Sequence, residues 1–294
     1  MSTTFHNIAL VGKYQSPDVA ESVMAIARFL RERGLKVWIE QGTASSIGGA
    51  GDFPVSSYEN IGSEADLAVV VGGDGTMLHT ARRLVEYGVP LAGVNLGRLG
   101  FLTDIALKDA NHYLGEIVDG RFCEETRFLL DAEVLRGGKR VFQTLALNDV
   151  VVNKGELGRM IEFDLSIDGE YVYTQRSDGM IISTPTGSTA YAMSANGPIL
   201  HPSVGGIALV PLCPHALTAR PITLPDHCCI EIELLPPQDA RVHFDGQARF
   251  DLRAGDRVRI MRSQHALRLL HPERYSYFAM LREKLHWSAT PRHN

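Results

Sequence analysis

Along the first third of the chain, short apolar runs alternate with longer stretches whose apolar residues recur every three or four positions. Asn7–Gly12 (NIALVG) is brief and apolar, which predicts a buried strand. Asp18–Arg33 sets Val19, Val23, Ile26, Ala27 and Leu30 at helical spacing, and Gly34 stands where such a helix would end. Lys36–Ile39 predicts a second strand, Asp66–Val71 a third and Pro90–Asn95 a fourth, with a helix over Met77–Tyr87 before the last. Gly42–Asp52 (GTASSIGGAGD) is dense in Gly and Ser and reads as a mobile surface loop with no helix expected. Strands alternating with helices predict a parallel sheet covered on both faces.

The pattern changes after about Arg121. Thr126–Leu135 and Arg140–Leu147 flank Gly137-Gly138, and Glu162–Ile167 and Tyr171–Arg176 flank Asp168-Gly169. Both pairs of runs read as hairpins. Ile230–Leu235, Arg241–Phe244, Arg257–Met261 and His265–Leu270 are further short strands. Arg274–Trp287 returns to helical spacing, with Tyr275, Phe278, Leu281 and Leu285 in one stripe. The expected organisation is therefore a Rossmann-like α/β domain with a parallel sheet over 1–122 and a β-rich domain over 123–272. A helical tail over 273–294 is expected to pack back on the first domain.

Composition narrows the function classes. With 294 residues, 45% hydrophobic and 21% charged, the chain suits a globular protein of two domains. A net charge of −5 weighs against nucleic acid as a partner, which calls for a basic surface. No run approaches the ~20 apolar residues that span a bilayer, and Met1–Asn7 carries no signal-peptide pattern, so a cytoplasmic location without membrane contact is expected. Cys123, Cys213, Cys228 and Cys229 show neither metal-ligand spacing nor a CxxC pair and read as structural thiols in a reducing compartment.

Gly72-Gly73-Asp74-Gly75-Thr76 follows a predicted strand and opens a predicted helix. A helix N-terminus offers unpaired N–H groups and a positive dipole end to phosphate, and glycines allow close approach. Asp74 would repel an anion, so it makes sense as a proton acceptor or as a ligand for a magnesium ion carrying the phosphates. The plainer alternative is a tight turn with Asp74 capping the helix. Arg176-Ser177-Asp178-Gly179 and Thr184-Pro185-Thr186-Gly187-Ser188-Thr189-Ala190-Tyr191 form a hydroxyl-rich segment suited to sugar and phosphate oxygens, or simply a loop capping a short helix. Asn148-Asp149 could hold an adenine edge and a ribose diol, or be an ordinary turn pair.

Taken together, GGDGT, NLGRLGFLTD (Asn95–Asp104), Asn148-Asp149, QRSDGMIISTPTGSTAY (Gln175–Tyr191) and the tail HPERYSY (His271–Tyr277) resemble the bacterial NAD kinase family in order and spacing. The resemblance implies ATP and NAD as substrates, a divalent cation (magnesium) carried on the ATP phosphates with no protein ligand assigned, and a homodimer or homotetramer. It implies Asp74 as general base toward the 2′-hydroxyl of the adenosine ribose. Gly72, Gly73, Gly75, Thr76, Asn148, Asp149, Arg159, Arg176, Asp178, Thr189, Ala190, Tyr191, Ala192, Met193, Ser194 and Gln247 are implied in nucleotide binding. His79 and Arg98 are weaker candidates; His79 also reads as a structural histidine. The resemblance has departures: Asn196-Gly197 where relatives have a Gly pair, Ala192 for a hydroxyl residue, and Asp149 for Glu. A lipid kinase sharing the GGDG loop and a non-catalytic NAD(P)-binding regulator are the rival readings. A dehydrogenase is disfavoured because the first strand lacks G-x-G-x-x-G, and Glu40, where a dehydrogenase would hold the ribose, is then coincidental.

Overall fold

The computed structural model describes residues 5–13, 19–155, 159–236 and 239–286. They form two compact units, Met1–Thr126 with Leu267–Asn294, and Arg127–Ala266. In the first unit the strands Val55–Ser56, Lys36–Glu40, Asn7–Gly12, Leu67–Gly72 and Leu91–Asn95 lie side by side, all parallel. Leu67–Gly72 is buried throughout, as a parallel strand covered on both faces must be. The helix Val19–Glu32 buries Val19, Val23, Ile26, Ala27 and Leu30, the residues its periodicity selects, and Gly34 ends it at φ +83°. Asp18 lies outside the described residues.

The stretch read as a glycine-rich loop holds a helix, Gln41–Ser46. Its stability comes from one side chain. Glu40 accepts from Gly42 N and Thr43 N at 2.8 and 2.7 Å and from the Thr43 hydroxyl at 2.9 Å. These bonds satisfy donors that a helix start leaves open, so low propensity is overridden. Glu40 is thus a buried cap.

The tail forms the helix Tyr277–Leu285 within the first unit, capped by the Ser276 hydroxyl. It buries Tyr277, Met280 and Leu281, while Phe278 is 53% exposed, so the buried stripe is rotated from the expected one. Trp287 lies outside the described residues. No helix among the described residues is long and apolar enough to cross a membrane.

The second unit is built from antiparallel strands. One sheet runs Ile222–Pro225, Gly206–Leu212, Gly179–Ser183, Asp149–Lys154, Ala240–Phe244, Ala248–Leu252. In the other, Glu170–Ser177, Ile161–Ile167 and Ile230–Leu234 are neighbours, followed by the start of Arg257–His271. Phe163 and Ile232 from this sheet share a core with Val150, Ile182 and Phe244 from the first. Both expected hairpins are present, with Gly137 and Gly138 at φ +56° and +76°, and Asp168 and Gly169 at φ +52° and +79°. These left-handed pairs match the twist of the flanking strands. The runs Arg257–Met261 and His265–Leu270 are one strand, Arg257–His271, because the polar residues between them stay extended. The four cysteines are free.

Candidate active site

The glycine loop leaves the carboxyl end of the fully buried strand Leu67–Gly72, where open α/β sheets place their ligands. Gly73 is the cap of the following helix and Asp74 its first residue, so the reading of Asp74 as the cap does not hold. The Asp74 carboxylate instead accepts four bonds from the neighbouring loop: Phe101 N at 2.9 Å, Leu102 N at 3.1 Å, Thr103 N at 3.2 Å and the Thr103 hydroxyl at 3.1 Å. Asn95 Nδ2 donates to that hydroxyl at 2.7 Å, and Asn95 Oδ1 accepts from Gly97 N at 2.7 Å. Gly100 is required by this packing, since a Cβ there would sit 1.8 Å from Asp74 Oδ1. A cavity of about 560 Å³ opens on Gly72, Gly73 and Asp74, with Asn95, Gly97, Arg98, Lys13 and Lys284 also in its lining.

Behind this loop His271 is 1% exposed. Its Nδ1 lies 3.0 Å from Asp104 Oδ2, its Nε2 3.4 Å from Glu125 Oε2, and its ring stacks on Tyr275 at 3.9 Å. Burial alone would lower its pKa, but the two carboxylates outweigh it and hold the imidazole above its ordinary value. His79 packs edge-on against Tyr58 at 5.9 Å, with its pKa lowered by burial and the nearby Arg82 and Arg83, which fits the structural reading.

In the second unit three motifs converge through backbone contacts. Asp245, in a turn at φ +53°, accepts from Leu147 N, Asn148 N and Asp149 N at 3.0, 2.7 and 3.2 Å. Thr184 N donates to Asn148 O at 2.9 Å, and the Thr184 hydroxyl donates to Leu147 O at 2.6 Å. A Cβ on Gly187 would fall 2.1 Å from Asn148 O. Asn148-Asp149, the TPTGS loop and the Asp245-Gly246-Gln247 turn are therefore one cluster. Asp149 opens the strand Asp149–Lys154 and is 4% exposed. Burial first, then the charge on Asp245, pushes its carboxyl up to about 7.

Of the remaining candidates, Thr189 ends a single 3-10 turn, and Tyr191, Ala192, Met193 and Ser194 form the short helix after Ala190, with Ala192 buried. Asn196 adopts φ +62°, so it supplies the left-handed backbone that a glycine would. Gln247 is exposed in the Asp245 turn. Asp178 accepts from Lys154 Nζ at 2.8 Å. Arg176 is exposed and lines a separate cavity of about 750 Å³ with Tyr173, Gln175 and His215. Arg159 is exposed. Gly75 and Thr76 lie in the first turn of the Asp74 helix. Sequence reasoning missed Lys13, Asn95 and Lys284 in the first unit and Asp245 in the second. Asp245 had a local signal in the Asp-Gly turn between two apolar runs, and Asn95 opens the NLGRLGFLTD motif; Lys13 and Lys284 had none.

A parallel α/β unit that presents glycines, cations and a fixed carboxylate at a strand's carboxyl end, in a chain with a second, polar cluster around Asn148 and Asp149, is the build of a small-molecule phosphotransferase. Comparison with known proteins is specific. The ATP-NAD kinase N-terminal domain matches residues 8–122, and the ATP-NAD kinase C-terminal domain matches residues 147–271. An NAD kinase of Azoarcus sp. (strain BH72) is 80% identical over 294 residues, 100% of both chains. One of Thiobacillus denitrificans (strain ATCC 25259 / T1) is 52% identical over 98% of this chain and 99% of its own. Yeast NADH kinase, solved with NADH, superposes at TM-score 0.89 with 25% identity, covering 100% of this chain and 91% of that one. An NAD kinase from Archaeoglobus fulgidus, solved with ATP, gives TM-score 0.75 with 27% identity, covering 95% and 98%. The chain belongs to the ATP-NAD kinase family.

Proposed function

We propose that the chain transfers the γ-phosphoryl group of ATP to the 2′-hydroxyl of the adenosine ribose of NAD, giving NADP and ADP. The observation that carries this is Asp74, a carboxylate held by four donors at the mouth of a glycine-rich, cation-lined cavity. Asp74 takes the proton of the attacking hydroxyl as its oxygen bonds to the γ-phosphorus. The bond from that phosphorus to the β,γ-bridging oxygen breaks, and ADP leaves. Phosphoryl transfer has a loose transition state, so the proton leaves late and a modest base serves.

A carboxylate has about two acceptor sites on each oxygen; three of the donors reach Oδ1 and only Phe101 N reaches Oδ2, so Oδ2 keeps a site for the hydroxyl proton. Asn148 and Asp149 hold the adenosine part of NAD, with the 184–194 segment and Gln247 contributing further polar contacts. A magnesium ion fits a lining with one carboxylate and several cations if it is carried mainly by phosphate oxygens, where it would screen their charge.

The purified chain with NAD, ATP and magnesium should form NADP, detected by an NADP-specific dehydrogenase, only when all three are present. NAD binding without NADP formation would favour a non-catalytic regulator. Neither binding nor product would redirect the search to lipid or sugar acceptors.

A further inference from the structure

Lys284 stands in the last turn of the C-terminal helix, some two hundred positions after the glycine loop, yet it lines the cavity formed by Gly72, Gly73 and Asp74. Lys13 reaches the same cavity from the end of the first strand. Its backbone N–H donates to Val71 O at 3.0 Å, which fixes it beside the strand that feeds the loop. Arg98 is the third cation in the lining. Among the described residues, none of the three has a carboxylate within ion-pair distance. Arg33 and Arg268 of the same unit, by contrast, are paired with Asp119 and Glu124.

A basic residue in a helix's last turn has an ordinary explanation, the negative end of the helix dipole. Arg282 occupies the same turn, is exposed and is not part of the cavity lining, so it serves that role equally well. Among the described residues, three cations and one carboxylate line the cavity, and this excess of positive charge calls for a polyanion. Lysine is a compact charge on a flexible stem, which suits a chain of phosphates that must shift as one bond breaks.

We propose that Lys13 and Lys284, with Arg98, are the docking cations for the triphosphate of the phosphoryl donor, and that the C-terminal helix is thereby part of the donor site. This rests on the kinase reading above.

The test uses the full chain carrying Lys284→Ala, Lys284→Gln, Lys284→Arg, Lys13→Ala or Arg282→Ala. Losing one charged phosphate contact should raise the KM for ATP by ~10-fold or more. The KM for NAD should stay within twofold, Lys284→Arg should recover most of the loss, and Arg282→Ala should match the parent. Calorimetric titration with inorganic triphosphate gives a readout free of turnover, and its affinity should fall in parallel. ATP KM and triphosphate affinity unchanged in both Lys284→Ala and Lys284→Gln would overturn the proposal, as would an equal loss in Arg282→Ala. A parent that binds triphosphate through these lysines but makes no NADP would sink the kinase reading alone.

Discussion

Asp149→Asn should make the folded chain more stable at neutral and alkaline pH while weakening its hold on NAD. Asp149 lies beside Asp245, and among the described residues no donor reaches its carboxyl group. Burial and the neighbouring charge raise it from the ordinary 3.8 to about 7. The folded state then keeps a proton that the unfolded chain releases between about pH 4 and pH 7, so stability falls as pH rises through that window and is flat above it. The gap between 3.8 and about 7 corresponds to on the order of 4 kcal/mol, fully lost above pH 7. Asparagine has the same shape, carries no charge, and offers Asp245 a donor. Urea denaturation midpoints of the parent and the variant, measured from pH 5 to pH 9, should show a small gap at pH 5 that widens in the variant's favour and levels off past neutrality. The KM for NAD should rise in the same variant. A gap that does not change with pH, or a parent that is the more stable at pH 8, would refute the reasoning, because the raised acid is its only source.

Asp74→Asn leaves one acceptor oxygen for the 101–103 loop but removes the base, and turnover should fall by ~10²–10⁴-fold with the circular dichroism spectrum intact; near-normal turnover would remove the base assignment. Gly100→Ala puts a methyl group 1.8 Å from Asp74 Oδ1 and 2.6 Å from Thr103 Oγ1, so kcat should drop steeply while the KM for NAD changes little; an unaffected kcat would mean the loop yields freely. His271→Asn breaks a buried pair and should cost about 3–5 kcal/mol. The carboxylates raise the His271 pKa, so its contribution is full below the ordinary histidine value and fades as pH rises through the raised one. Its loss should therefore lower Tm more at pH 6 than at pH 9, and an equal loss at both would show that stacking on Tyr275 carries the effect.

The parallel strands of the first unit were legible because burial on both faces leaves uninterrupted apolar runs, as in Leu67–Gly72. Gln41–Ser46 was not, since its helix depends on the Glu40 side chain reaching two backbone donors, a contact that residue propensities do not carry. The helices Tyr58–Glu64 and Ala110–Val118, of 7 and 9 residues, also escaped. At the site, the motifs were visible but the partners that hold them were not. Asp74 is fixed by main-chain N–H groups of Phe101, Leu102 and Thr103, and a backbone donor leaves no trace in residue type. Only Gly100 betrays the close approach. Lys13 and Lys284 come to one cavity by tertiary folding, and nothing in their sequence spacing marks them.

If the glycine loop binds phosphate as proposed, the grip on Asp74 changes how it must do so. In a loop built only to cradle anions, main-chain N–H groups point at the ligand and supply most of the positive field. Here the N–H groups of the adjoining 101–103 loop are committed to a carboxylate, and that carboxylate itself adds a negative charge to the cavity. The helix beginning at Asp74 supplies only a partial positive charge, on the order of half an elementary charge at its end. A polyanion would then meet a field close to neutral if the backbone were its only support. The compensation has to come from side chains, and Lys13, Arg98 and Lys284 are the cations that line the cavity. On the proposed assignment, a kinase with its base inside its phosphate-binding loop needs cations from outside the loop, and residues remote in sequence can deliver them without giving up the glycines that the close approach requires.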